Sequence, residues 1–186
     1  MSFKSLNSVL IILSLFSQFC LGADTKNFFD LDAISIDGKK INFSGYTGKV
    51  ILIANTASGC GYTPQYKNLQ AISSKYSSKG LAVLGFPSND FAGQEPGTNK
   101  EIKKFCELNY KVDFQIFTKL PVSGSNIQPV FKWLIEKSPK DISGPVKWNF
   151  EKFLISKKGQ LVKRYRSGIS PESSEVISAL ENELKR

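Results

Sequence analysis

A chain of 186 residues, 41% hydrophobic and 22% charged, is long enough to bury the core of one globular domain and short for two. Its net charge of +9 comes from Lys and Arg spread in small groups, such as Lys39/Lys40, Lys103/Lys104, Lys157/Lys158 and Arg164/Arg166. With no basic helix interleaved with aromatics, a solvated cationic surface is expected and a nucleic-acid site is not, while an acidic partner or an anionic membrane surface stays open. The absence of His excludes Cys–His and Ser–His–Asp hydrolysis and His-ligated zinc.

The chain begins with Lys4, the apolar run Val9 to Phe16, and small residues at Gly22 and Ala23, which is the pattern of a cleaved signal peptide. The run is too short to span a bilayer, where about 20 apolar residues are needed, so no stable membrane insertion is expected. Bulky Phe19 argues against lipid attachment at Cys20, and cleavage is expected near Gly22 or Ala23. Residues 1–22 are therefore assigned as leader and 23–186 as the folded domain. An exported protein, periplasmic or secreted, follows. Export leaves Cys60 and Cys106, too few for a thiolate-only zinc site or an iron–sulfur cluster, so neither metal nor cofactor is expected. Two thiols in an oxidising compartment suggest a disulfide, and counting alone favours a permanent staple over a catalytic intermediate.

In chain order, Ile34, Ile36, Ile41 and Phe43 alternate about Asp37-Gly38 and predict a β-hairpin. The run from Val50 to Ala54 is apolar without alternation, as in a central strand covered on both faces. Tyr66, Leu69, Ile72 and Tyr76 have helical spacing over 64–78, and a second apolar run, Leu81 to Phe86, completes a right-handed βαβ unit. A loop rich in Gly, Pro and Asn spans 87–99. A short helix should follow through Ile102, Phe105 and Cys106, and another from about Gln128 to Glu136. Strands at 152–156 and 160–165 are joined at Lys157-Lys158-Gly159, and a last helix runs from Pro171 to about Leu184, capped by Ser170. This order defines an α/β, thioredoxin-like fold with an added N-terminal β-hairpin and a central mixed sheet flanked by helices.

Cys60 lies six residues past the first buried strand and just before a helix, at the carboxyl edge where open α/β sheets place ligands. Thr63 is suited to cap that helix and Pro64 to its first turn, and Gly59 and Gly61 allow backbone amides close to the sulfur. Such a position favours a thiolate, but the helix dipole contributes only about 0.3–1 kcal/mol, under roughly one pKa unit. A strongly reactive cysteine there needs further hydrogen-bond donors.

Three blocks resemble the glutathione peroxidase family: Asn55 to Thr63 with Tyr66 and Leu69, Gly85 to Phe91 leading into Gly93-Gln94-Glu95-Pro96, and Lys147 to Leu154. They stand in the family's order, and the resemblance extends from about Phe29 to the C-terminus. It implies that Cys60 holds the position of the peroxidatic cysteine or selenocysteine, with Gln94, Trp148 and Asn149 completing a catalytic tetrad. Their amide and indole N–H groups can stabilise a thiolate and bond peroxide oxygens with no ionisable base. Taken without that pattern, Gln94 reads as a loop residue, Trp148 as packing and Asn149 as a turn former. Trp133 has no matching role and is expected in the core.

The resemblance further implies attack of Cys60 on a hydroperoxide to give a sulfenic acid. It places Cys106, within Phe105-Cys106-Glu107-Leu108, at the resolving position of the thioredoxin-dependent branch, so that a thioredoxin-like reductant is expected and glutathione is disfavoured. Cys60 and Cys106 lie on different elements, which implies local unwinding of 100–108 during turnover. Two positions depart from the family pattern: Ser88 stands where many relatives carry another cysteine, and Asp90 where they carry Gln. The connection 137–147 lacks the insertion of tetrameric relatives, so a monomer with an open site is expected, able to admit hydrogen peroxide and organic or lipid hydroperoxides. Competing readings are a thiol–disulfide relay, opposed by Thr63 where a Cys-x-x-Cys motif would close, and a binding module stapled by Cys60–Cys106.

Overall fold

In the computed structural model, which describes residues 27–186, strand β3 (Val50–Thr56) is buried at every position and forms the centre of a five-stranded sheet. The strand order is β5-β4-β3-β6-β7. β4 (Leu81–Pro87) runs parallel to β3, and β6 (Lys152–Ile155) antiparallel to it. β7 (Leu161–Tyr165) closes one edge antiparallel to β6. The other edge is β5 (Gln115–Ile116), a two-residue strand with no signal in the sequence. The mixed, helix-flanked sheet is the expected thioredoxin-like fold. The assigned leader, residues 1–22, lies outside the described residues.

The missing alternation in β3 has a direct cause. Val50, Leu52 and Ala54 face one apolar layer, built with α1 (Gln65–Tyr76), α2 (Asn99–Tyr110) and α4 (Ser174–Lys185). Ile51 and Ile53 face the other, built with α3 (Pro129–Glu136) and the phenylalanines at 28, 43, 86, 117, 131 and 153. Each such side chain contributes about 1.5–3 kcal/mol on burial. Trp133 sits in this second layer as expected, its ring 5.6 Å from that of Phe28.

The hairpin forms from β1 (Asp32–Ile34) and β2 (Lys40–Asn42) about Gly38, whose φ of 81° suits the turn. Its register differs from the one the isoleucines suggested. Ala33 and Ile41 pair and pack inward, and Ile34 is left exposed. The pair stands as its own small sheet and joins the larger one through a single bridge, Ser35 to Phe117.

Two helix starts also differ. α4 begins three residues later than expected, because Ser170 and Pro171 form a turn closed by Ser173 N–H to the Ser170 carbonyl, and Ser173 is the cap. Thr63 does not cap α1; its hydroxyl is committed upstream, as described below. α2 starts as a capping box, with Thr98 accepting from the Glu101 amide and Glu101 from the Thr98 amide.

Candidate active site

β3 delivers the chain to a tight turn at its carboxyl end, and that turn holds Cys60. The Cys60 N–H donates to Thr63 Oγ1 at 2.9 Å, and the Thr63 hydroxyl donates to the Ala57 carbonyl at 2.9 Å. The Tyr62 N–H donates to Cys60 Sγ at 3.4 Å. Thr63 therefore fixes the cysteine turn instead of the helix. Cys60 is 8% exposed, at the end of the α1-side core.

Gln94 is brought to this turn by its backbone. The Gly59 N–H donates to the Gln94 carbonyl at 2.9 Å, after the chain bends through two left-handed residues, Ala92 (φ 55°) and Gly93 (φ 63°). A Cβ on Gly59 would stand 3.2 Å from that same carbonyl oxygen. Gly59→Ala should therefore push Gln94 off the cysteine turn. We expect peroxide consumption about tenfold slower, with a stability loss of about 1–3 kcal/mol, read by initial rates and thermal melts.

Asn149 is fully buried, and its Nδ2 donates to Gln94 Oε1 at 2.9 Å. That bond occupies the Gln94 oxygen and leaves Gln94 Nε2 as the donor side, which makes no hydrogen bond among the described residues. Trp148 adjoins through the backbone and through its ring, 5.8 Å from that of Phe91. It is 37% exposed. Gln94 is thus tied by its backbone to Gly59, the residue before Cys60, and by its side chain to Asn149, while Trp148, next to Asn149 in the chain, packs on Phe91.

The 148–151 segment is held by a residue to which the sequence reading gave no role. Asn55, near the end of β3, donates from Nδ2 to the Trp148 carbonyl at 3.0 Å and accepts at Oδ1 from the Glu151 N–H at 2.9 Å. Its carbonyl accepts from the Phe150 N–H at 2.7 Å. These bonds hold Phe150 at φ 61°, which costs a non-glycine residue about 1–3 kcal/mol. Glu151, fully buried, takes Arg164 Nη2 at 2.8 Å, Arg166 Nη1 at 2.9 Å and the Lys147 N–H at 2.7 Å. Arg164 extends the clamp to the carbonyls of Ile142, Gly144 and Pro145. Side chains in contact across about a hundred residues of sequence leave no local pattern to read.

Beside Gln94, Glu95 is buried and accepts the Ser58 hydroxyl at 2.6 Å; burial raises its pKa and the Ser58 bond partly offsets this. Asp90, the departure noted above, accepts from the amides of Val122 and Ser123 at 2.7 and 2.9 Å, so it anchors a loop. Ser88 is buried, with its Oγ accepting from the Asp90 N–H.

Both cysteines among the described residues, Cys60 and Cys106, are free thiols. Cys106 lies on α2, fully buried in the same apolar layer as Cys60, and burial pushes its thiol up to about 11, against a lowering influence from the Tyr66 hydroxyl. Among the described residues no group of three or more His, Cys, Asp or Glu could hold a metal ion.

A thioredoxin-like fold with a free cysteine in the turn at the carboxyl edge of its sheet, the Gln94–Asn149 pair tied to that turn through the Gly59 amide, and a second free thiol in the same core has the parts of a thiol-dependent oxidoreductase. Comparison with known proteins gives the family. The glutathione peroxidase family model matches residues 28–135. A glutathione peroxidase-like peroxiredoxin of Schizosaccharomyces pombe is 48% identical over 151 residues, 80% of this chain and 94% of its own. A hydroperoxy fatty acid reductase of Synechocystis is 44% identical over 162 residues, 84% of this chain and 95% of its own. The crystal structure of T. cruzi GPX1 superposes with a TM-score of 0.69 at 32% identity, covering 86% of this chain and 97% of that one. The chain belongs to the glutathione peroxidase family and is a peroxidase.

Proposed function

We propose that Cys60 is the peroxidatic nucleophile and Cys106 its resolving partner in a thiol peroxidase recycled by a thioredoxin-like protein. The observation that carries this reading is the pair of free thiols in one core layer, one in the turn to which Gln94 is tied and one buried on α2. The Cys60 thiolate attacks the terminal peroxide oxygen and the O–O bond breaks. Water or an alcohol leaves after taking a proton, and Cys60 becomes a sulfenic acid. Gln94 Nε2 and the Trp148 indole N–H are the donors for the oxygen on which charge develops, with Asn149 holding the Gln94 amide in its orientation. Cys106 then attacks the Cys60 sulfur, the S–O bond breaks, and the Cys106 proton leaves with the hydroxyl as water. A dithiol reductant exchanges with the resulting disulfide.

The position of Cys106 sets the timing. With its pKa about 11, roughly one thiol in ten thousand is ionised at pH 7. A cysteine at its ordinary value of 9.0 would be about 100-fold more ionised. Opening of α2 is thus what makes the second thiol reactive as well as what moves it. Tyr62, two residues from Cys60, and Trp148 and Ile169 expose apolar surface suited to organic and lipid hydroperoxides as well as hydrogen peroxide. The name of the Synechocystis relative supports that breadth. Export directed by residues 1–22 and a monomeric state complete the proposal.

One experiment tests the pair of roles: stoichiometric hydrogen peroxide is added to reduced protein and thiols are followed by mass. The native chain should lose both thiols together. Cys106→Ser should stop with one oxygen atom added to Cys60 and turn over once only. Amide exchange across α2 should be faster in the oxidised protein, and identical exchange in the two forms would rule out the opening.

A further inference from the structure

A buried lysine stands directly behind the cysteine turn. Lys152 opens β6 opposite Ala54 of β3, and its side chain is fully buried. Its Nζ donates to Gln65 Oε1 at 3.0 Å, to the carbonyls of Arg166 and Ser167 at 3.2 Å each, and to the Ile169 carbonyl. Gln65 closes the figure by donating from Nε2 to the Ser167 carbonyl at 2.7 Å.

Both sets of contacts lead to Tyr62. Gln65 is the first residue of α1, and its N–H donates to the Tyr62 carbonyl at 2.9 Å. The 166–169 loop passes against the Tyr62 hydroxyl, which lies 3.7 Å from where a Cβ on Gly168 would stand. The Tyr62 N–H is the group that donates to Cys60 Sγ. We propose that Lys152 is a positioning residue for the Cys60 sulfur, acting through Gln65 and the 166–169 loop on Tyr62. This rests on the reading of Cys60 as the nucleophile.

The fold keeps this charge at a cost. Burial lowers the Lys152 pKa from 10.5 to about 7, with Glu151 acting in the opposite direction. Because the unfolded chain holds the proton more tightly, the penalty on folding is full below about pH 7 and is relieved as pH rises toward 10.5. Stability alone would favour an uncharged side chain here. Of the charged and titratable groups on the surrounding elements, Glu151 is turned toward Arg164 and Arg166. Tyr165, opposite on β7, has its phenol pushed up to about 12 by burial, with Glu175 on α4 adding to the shift. Gln65 on α1 is neutral, and the 166–169 loop offers carbonyls.

The test is the rate of Cys60 oxidation by hydrogen peroxide in single turnover, followed across pH in the native chain, Lys152→Met and Gln65→Met. The native rate should fall through a second limb near pH 7 as the ammonium discharges, in a protein with no histidine to cause one. Both variants should be about tenfold slower at pH 6, and the limb should vanish in Lys152→Met. Gln65→Met cuts the link to α1 without removing the charge, and it decides the matter if Lys152→Met does not fold. Native rates with an unchanged pH profile in both variants, or in Gln65→Met alone where Lys152→Met does not fold, would overturn the proposal and leave the Cys60 reading intact. Full peroxidase activity in Cys60→Ser would overturn both.

Discussion

Replacing Cys60 with serine should abolish peroxide consumption, lowering the rate by at least about 10³-fold, while the melting temperature stays close to native. The substitution is nearly isosteric, a serine oxygen can still accept the Tyr62 N–H that Cys60 Sγ takes, and the backbone bonds around the position do not depend on sulfur. Thr63 still takes the residue 60 amide, and Gly59 still holds the Gln94 carbonyl. What disappears is the reducing atom, since breaking the O–O bond takes two electrons that the sulfur gives in becoming a sulfenic acid and a serine oxygen has no such oxidation to undergo. Loss of activity with an intact fold therefore assigns the chemistry to the sulfur. Peroxide consumption at the native rate in Cys60→Ser, measured in a coupled or direct peroxide assay, would sink the assignment.

Glu151→Ala should have the largest effect on stability, about 3–5 kcal/mol. The carboxylate is fully buried and faces Arg164, whose side chain is equally inaccessible, so removing it strands a buried guanidinium. It also frees Arg166 and the Lys147 amide. Three pieces of chain meet at this one side chain: β6, β7 and the 142–147 connection that leads into Trp148 and Asn149. Activity should fall with stability, because the segment bearing Trp148 and Asn149, two residues proposed above to take part in the peroxide reaction, loses one of its anchors. Denaturant unfolding gives the first quantity and peroxide consumption below the transition gives the second. A shift under about 1 kcal/mol would mean that the pair is worth no more than a surface ion pair.

Burial leaves a record in sequence wherever it is periodic or continuous. β3 and β4 are legible as unbroken apolar runs because both their faces are covered, and α1 is legible because Tyr66, Leu69, Ile72 and Tyr76 return to one side. The place of Cys60 follows from β3 and α1 alone. Polar residues that act at long range leave no such record. Asn55 reads as the end of a strand, although it orders the 148–151 segment through partners more than ninety residues away. Lys152 reads as an ordinary strand lysine, and only the meeting of β6 with α1 and the 166–169 loop shows otherwise. At the start of α4, Ser170-Pro171 and Ser173 are equally good local signals, and a turn takes the first pair. Ile34 is exposed because the hairpin's register follows Ala33 and Ile41, which alternation by itself could not decide.

The contrast between the two thiols has a practical side. Cys60 keeps 8% of its surface exposed, whereas Cys106 has no exposed area and a pKa lifted to about 11. In a chain that starts after residue 22, and so lacks Cys20, an electrophilic probe applied briefly at neutral pH should tag Cys60 ahead of Cys106, so one fluorophore or covalent inhibitor can be placed without mutating the other cysteine. Later labelling at Cys106 then becomes a clock for each opening of α2.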